Sequence, residues 1–398
     1  MQRLQMLALT LLLVVGLSAD GRAQAGPDVF EQVGVRDLQL FINSTDLAEL
    51  RATSAENTYY PADFEYLGTR VRNVGIRSRG LGSRNSTKLG LRVDFNRYAS
   101  GQTFGGHKAL VLDNLWQDAS LVRERVAMAM FDRMGVPTPR EVFVRVFING
   151  TYEGVYTIVE EMDSQLLTRI GNDGGVLFEY KYVGVYNAED LGGDTDPYVP
   201  LFEARTHEKD AMVTLYGPLR DLFTAASSTS GEEWRNRVEA LVDLRQLLTY
   251  IAIETFTSDN DGVIGEWGMN NFYLHRSSDG TQHQILPWDK DQAFGDIEAG
   301  IFLRADQNVL VRQALSFPDL RTHYLDVLRQ CAEAAAADGW LLGQVNTAAD
   351  LIDSAAAQDT RKQFDETTRA DALAAIRTFA ASRSARVIAQ VDGAVTAP

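Results

Sequence analysis

The chain has 398 residues, with 38 Lys and Arg against 54 Asp and Glu and a formal net charge of −16. Nucleic acid and anionic membrane both select clustered Lys and Arg, so neither is expected as a partner. A lone cysteine, Cys331, excludes an internal disulfide and leaves stability to a hydrophobic core, which is feasible because a large domain buries about 75% of its unfolded surface.

The first 25 residues read as a cleavable secretory signal. Arg3 gives a positive start, Leu7 to Leu17 an apolar run, and Ala23-Gln24-Ala25 a small-residue cleavage site. The run falls short of the roughly 20 apolar residues of a membrane span, and no later segment qualifies. A secreted or periplasmic protein is expected. Residues 35 to 112 are strand-rich: "RDLQLFI", "FEYLGTRVRNVGIRSRG" and "STKLGLRVDFNRY" alternate apolar and polar positions between Gly and Asn. A helix follows, with Val122, Val126, Ala129 and Met130 at helical spacing and Gly135 and Pro137 as its stop. "VFVRVFINGTYEGVYTIVEEMD" is a hairpin about Asn149-Gly150, a dipeptide that tolerates the positive φ of a type I′ turn.

Past Asp163 comes a polar loop, "NAEDLGGDTDPYVP", then a helix capped by Asp243 with Leu244, Leu247, Leu248, Ile251 and Thr255 on one face. The last hundred residues read as helical. The pattern predicts an α+β fold with two lobes, a β-rich one over 26–165 and a mainly helical one over 166–398, with the ligand cleft between them.

A protein this acidic that binds an anion must concentrate its few cations. They gather in "IRSRGLGSRNSTKLGLRVDF", which holds Arg77, Arg79, Arg84, Lys88 and Arg92 among Gly80, Gly82 and Gly90. If its two halves pair as strands, the Gly- and Ser-rich link exposes backbone N–H groups able to cradle an anion, and a strand starting at Lys88 puts Lys88, Gly90 and Arg92 on one face. A basic solvent-exposed face is the plainer alternative, and no phosphate-loop motif is present.

The carboxylates gather elsewhere. "QILPWDKDQAFG" is an apolar strand running into Asp289 and Asp291, two residues apart, and Mg²⁺ is commonly held by one or two carboxylates plus substrate phosphates. Asp261 and Asn271 lie upstream as a possible base and a further metal ligand. The five histidines show no zinc spacing, and neither HExxH nor GxSxG occurs. Cations with flexible backbone on one side and metal-type carboxylates on the other match the division of labour in nucleotide phosphoryl transfer. A metal-dependent enzyme on phosphorylated or acidic substrates, such as a phosphodiesterase, uses the same residue types.

Four segments, "VGIRSRGLGSRNSTKLGLRVDF", "RERVAMAMFDRMGVPTPREVFVRVFINGTYEGVYTIVEEMD", "NNFYLH" and "LPWDKDQAFG", resemble in content and order those of the CotH kinases, an atypical branch of the protein-kinase fold named for spore coat protein H. The resemblance covers roughly residues 35 to 300. It implies ATP-dependent phosphorylation of Ser or Thr on a surface or extracytoplasmic protein, with Mg²⁺ or Mn²⁺. Carried over, Lys88 is the phosphate-contacting lysine with Arg79 and Arg84 nearby, and Asp261 the base or a metal ligand. Asn271 assists the metal, Asp289 and Asp291 take the place of Asp-Phe-Gly, and Glu160 lies near a hinge or lysine partner. A catalytically silent relative that binds nucleotide or metal, or serves surface assembly, shares these motifs.

Overall fold

The computed structural model describes residues 28–31 and 34–396, so the expected signal segment, 1–25, lies outside them. The front of the chain forms a closed barrel. Its strands are β1 (Arg36–Ile42), β2 (Tyr60–Tyr66), β3 (Thr69–Ser78), β4 (Leu91–Asp94), β5 (Ala109–Asp113), β6 (Glu141–Ile148) and β7 (Thr151–Glu160), joined in the order β1-β2-β3-β4-β5-β7-β6. The parallel pairing of β1 with β6 closes the ring. Period-two alternation turns Leu38, Leu40 and Ile42 of β1 inward, where they meet Phe64, Phe95, Phe104 and Tyr156 in a barrel core. Closure leaves no free sheet edge.

The β6–β7 hairpin turns on Asn149 (φ 50°) and Gly150 (φ 79°), the positive angles a type I′ turn requires. Helix α1 (Ser44–Ala52) lies between β1 and β2, α2 (Arg123–Arg133) between β5 and β6, and α3 (Ser164–Arg169) after β7. A split at 165/166 would cut through α3.

The rest of the chain is a mixed assembly. A second sheet runs β11-β10-β8-β9, made of β8 (Val176–Tyr180), β9 (Phe202–Ala204), β10 (Phe272–Arg276) and β11 (His283–Pro287). The helices are α4 (Met212–Ser228), α5 (Gly231–Glu239), α6 (Leu244–Thr257), α7 (Val309–Ala314), α8 (Pro318–Ala336), α9 (Trp340–Gln358) and α10 (Glu366–Thr396), with α6 packed on β11 and α9 on β7 of the barrel. Asp243 caps α6 as expected, accepting from the N–H groups of Arg245 and Gln246. The expected single apolar face on α6 is not what forms: the helix is buried nearly all round, with Tyr250, Ile253 and Phe256 also enclosed, because it runs through the largest apolar core. Mixed α/β structure is therefore observed. The barrel closure and the sheet inside the helical half were not foreseen. No helix among the described residues is long and apolar enough to cross a membrane.

Candidate functional site

A cleft of about 700 Å³ lies between the barrel and the second sheet. Arg77, Arg79, Arg84 and Arg92 line it from the barrel. Tyr273, Trp288, Asp289 and Asp291 line it from the sheet, and Asp261, Asn270 and Asn271 from the loop that follows α6.

The acidic wall follows from strand register. Antiparallel β10 and β11 pair Phe272 with Pro287, so Asn271, just before β10, and Trp288, just after β11, emerge at the same end of the sheet. Asn271 (φ 55°) and Asp289 (φ 51°) both adopt left-handed backbone, a strained choice for residues with side chains that concentrates at working sites. Asp261 accepts a hydrogen bond from the side-chain N–H groups of Asn270 and Asn271, each at 2.9 Å. Burial, then Asp113, drive the Asp289 carboxyl up to about 7, against the pull of Arg79. Burial and Asp289 raise Asp291 as well. A cation would relieve both.

Among the described residues no group of three or more His, Cys, Asp or Glu is disposed to hold a metal with protein donors alone. The donor set fits the kind of Mg²⁺ site that takes two carboxylates and leaves the remaining positions to phosphate and water.

The wall is braced from behind by one buried lysine. Lys290, between the two aspartates, reaches Glu254 of α6 at 2.6 Å and Asp259 at 3.1 Å. Glu254 accepts from the Val263 N–H at 2.9 Å, and Asp259 from the Asp261 N–H at 3.1 Å. At Gly262 a Cβ would collide with the Glu254 carboxylate, so only glycine lets the loop close over it.

The basic wall is the link between β3 and β4, with Gly80, Leu81, Gly82 and Ser83 beside its arginines. Arg79 stands 3.6 Å from Asp113 and over the Trp288 ring. Burial works against its charge, but Asp113 and Asp289 outweigh it and hold the guanidinium ionised. Arg84 is fixed by the carbonyls of Gly80 and Ala55, each at 2.6 Å, while burial and the nearby Arg77 and Arg79 press its pKa down. An anion would ease that crowding.

Asp261, Asn271, Asp289, Asp291, Arg79 and Arg84 thus share one cleft. Lys88 does not join them. β4 begins at Leu91, so the alternation counted from Lys88 does not apply, and the fully buried Lys88 pairs with Asp359 at 2.7 Å. Glu160 faces away too, held by Arg169 at 2.7 Å and Arg140 at 3.0 Å. Its neighbour Glu161 lines the cleft, taking Arg205 at 2.7 Å and Arg92 at 3.1 Å, because adjacent residues at a strand end point to opposite sides. Asp113 went unnoticed although it ends an apolar run, "ALVLD", much as Asp289 does. Glu179 and Arg205 line the cleft and carry no local signal.

A family model described as CotH kinase protein matches residues 76–387. Inner spore coat protein H of Bacillus subtilis is 26% identical over 306 residues, which cover 74% of this chain and 81% of that protein. Invasin CotH7 of Rhizopus delemar is 24% identical over 202 residues, 49% of this chain and 32% of that one. Among solved structures, HipA of Shewanella oneidensis MR-1, in complex with HipB and operator DNA, matches at a TM-score of 0.40 and 14% identity over 90% of this chain and 74% of that one. The Helicobacter pylori proinflammatory kinase CtkA matches at 0.34 and 9%, over 77% of this chain and 93% of that one. Both are distant likenesses.

Proposed function

Because the chain belongs to the CotH kinase protein family, whose model matches residues 76–387, we propose that it transfers the γ-phosphate of ATP to Ser or Thr of a protein substrate. The observation that carries this reading is the cleft itself, where Asp261, Asn271, Asp289 and Asp291 face Arg79 and Arg84. Phosphoryl transfer asks the protein mainly to position the reactants and to neutralise charge. In this assignment Asp261, oriented by two amides, takes the proton of the acceptor hydroxyl. Arg79 and Arg84 hold the phosphates, in place of Lys88, which is buried with Asp359 away from the cleft. Asp289 and Asp291, with Asn271, would hold Mg²⁺ or Mn²⁺, which when bound neutralises charge on the phosphates. The barrel and the mainly helical remainder act as the two lobes of an atypical kinase. The boundary is best drawn after Glu161, ahead of α3. The work is done in the periplasm or outside the cell, on an extracytoplasmic or surface protein.

The test is incubation of the purified protein with ATP labelled at the γ-phosphate and Mg²⁺ or Mn²⁺, followed by analysis of the protein and of an arrayed Ser/Thr peptide library for label. Transfer by wild type and not by Asp261→Ala supports the reading. Tight Mg-ATP binding with no transfer under either metal makes the chain a nucleotide-binding relative instead.

A further inference from the structure

We propose that Lys88 and Asp359 are positioning residues for the basic wall, so that the connection between α9 and α10 holds the arginine-bearing loop at the cleft. The proposal rests on the reading of that wall as the phosphate site.

The loop, residues 79–90, is closed at its base, where the Arg79 N–H donates to the Gly90 carbonyl at 2.9 Å. Its first half, through Arg84, lines the cleft. Its second half is gripped from outside. The Asn85 side chain accepts from the N–H groups of Thr87 and Lys88, and the Asn114 amide spans both halves, donating to Lys88 O at 2.7 Å and Ser83 O at 3.1 Å. Displacing Lys88 therefore moves Ser83 and the arginine beside it.

Lys88 is fixed by a residue 271 positions away. Asp359 closes the C-terminus of α9, and both side chains are fully buried. One carboxylate oxygen takes Lys88 Nζ at 2.7 Å and the Val155 N–H at 3.1 Å; the other takes the N–H groups of Arg361 and Lys362 at 2.9 and 3.0 Å. β7 makes room for it: at Gly154 (φ 123°) a Cβ would collide with this carboxylate. Arg361 donates to Thr87 O at 3.1 Å and pairs with Glu153 at 3.2 Å, while Arg51 of α1 meets the same carbonyl and the same glutamate at 3.1 and 2.7 Å. An apolar residue at 359 would forfeit the bonds from the Val155, Arg361 and Lys362 N–H groups, but the ion pair itself adds little net stability, because the desolvation of both charges offsets their attraction. What the charged pair adds is direction, since it fixes Lys88, and through Asn114 the loop, in one register.

Steady-state kinetics with Mg-ATP, beside thermal unfolding, compare wild type, Lys88→Met and Lys88→Met/Asp359→Asn. The single variant leaves a buried carboxylate without its cation and melts early. The double variant removes both charges and, with the introduced amide oxygen still accepting from the Arg361 and Lys362 N–H groups, recovers part of the melting temperature. In the double variant KM for Mg-ATP rises about tenfold to a hundredfold, the scale that small misplacement of binding groups carries, while kcat stays near wild type. A double variant with wild-type KM would overturn the proposal and leave the pair a role in stability alone. If wild type neither binds nor turns over Mg-ATP, the phosphate reading fails first and takes this assignment with it.

Discussion

Lys290→Met tests whether the acidic wall depends on its buried support. The ammonium lies 2.6 Å from Glu254 and 3.1 Å from Asp259, all three side chains being at most 1% exposed. Burial alone would lower the Lys290 pKa, but Glu254, Tyr250 and Asp259 outweigh it and hold the group well above its ordinary value. Methionine fills similar space and leaves two carboxylates facing each other away from water. Breaking a buried pair in this way costs about 3–5 kcal/mol. That is a large share of the roughly 5–15 kcal/mol by which folded domains exceed their unfolded chains, and it predicts a fall in Tm on the order of 10 °C. One of the stranded carboxyls then takes up a proton. Its folded pKa stands above its unfolded one, so stability declines as pH rises between them, and the deficit against wild type widens from pH 5 to pH 8. Denaturant unfolding at both pH values measures this. A loss under about 1 kcal/mol, or one independent of pH, would refute the account of the triad. Adding Glu254→Gln should return part of the stability.

Asp289→Asn and Asp291→Asn should each weaken Mg-nucleotide binding in calorimetric titration while leaving the circular dichroism spectrum unchanged and the unfolding midpoint no lower than wild type; unchanged affinity in both would remove the metal assignment. Arg79→Met is expected to raise KM for Mg-ATP more than Arg77→Met does, since Arg79 stands within the field of Asp289. Asp261→Ala should cut turnover by about 10²-fold or more, the range of general-base catalysis, with binding largely kept, and a parallel collapse of binding would make Asp261 a metal ligand. Glu141 is buried with both carboxylate oxygens lacking a hydrogen-bond partner, and burial raises its pKa to about 7 against the pull of Arg125. Wild-type stability therefore declines as pH rises from its unfolded pKa toward about 7, so the Tm advantage of Glu141→Gln should grow across that window.

Local patterns in the sequence foretold local structure. "RDLQLFI" matches β1 residue for residue, Asn149-Gly150 marks the turn, and Asp243 caps α6. The acidic wall was legible for the same reason: Asp289 and Asp291 follow an apolar strand directly, and the β10–β11 pairing that brings Asn271 alongside is an antiparallel neighbour in sequence. Barrel closure was not legible, because it depends on β1 meeting β6 across a hundred residues. Lys88 and Glu160 were misplaced for two distinct physical reasons. Lys88 lies in a loop three residues before its strand begins, where alternation has no force, and its partner Asp359 is remote in the chain. Glu160 and Glu161 are adjacent acids at a strand end, and which one faces the cleft follows from the pairing of β7 with β5 and β6.

The two walls of the cleft draw on different parts of the chain. Asp261, Asp289 and Asp291 are braced by Glu254 of α6 through Lys290, within a span of about forty residues. Arg79 and Arg84 are braced through Lys88 by the end of α9, far along the chain. A disturbance at the α9–α10 connection should therefore reach the phosphates and spare the carboxylates, while one in α6 should do the reverse. Coupling between the walls then falls to Arg79 and the carboxylates around it, Asp113 on its own side and Asp289 on the other wall, where Arg79 and Lys290 are the cations that offset the Asp289 charge. Phosphate placed there would draw on the arginine and leave the carboxylates with excess negative charge, which a divalent cation is suited to offset. Nucleotide and metal should for that reason bind cooperatively, each tightening the other by the same factor, as linkage between the two requires.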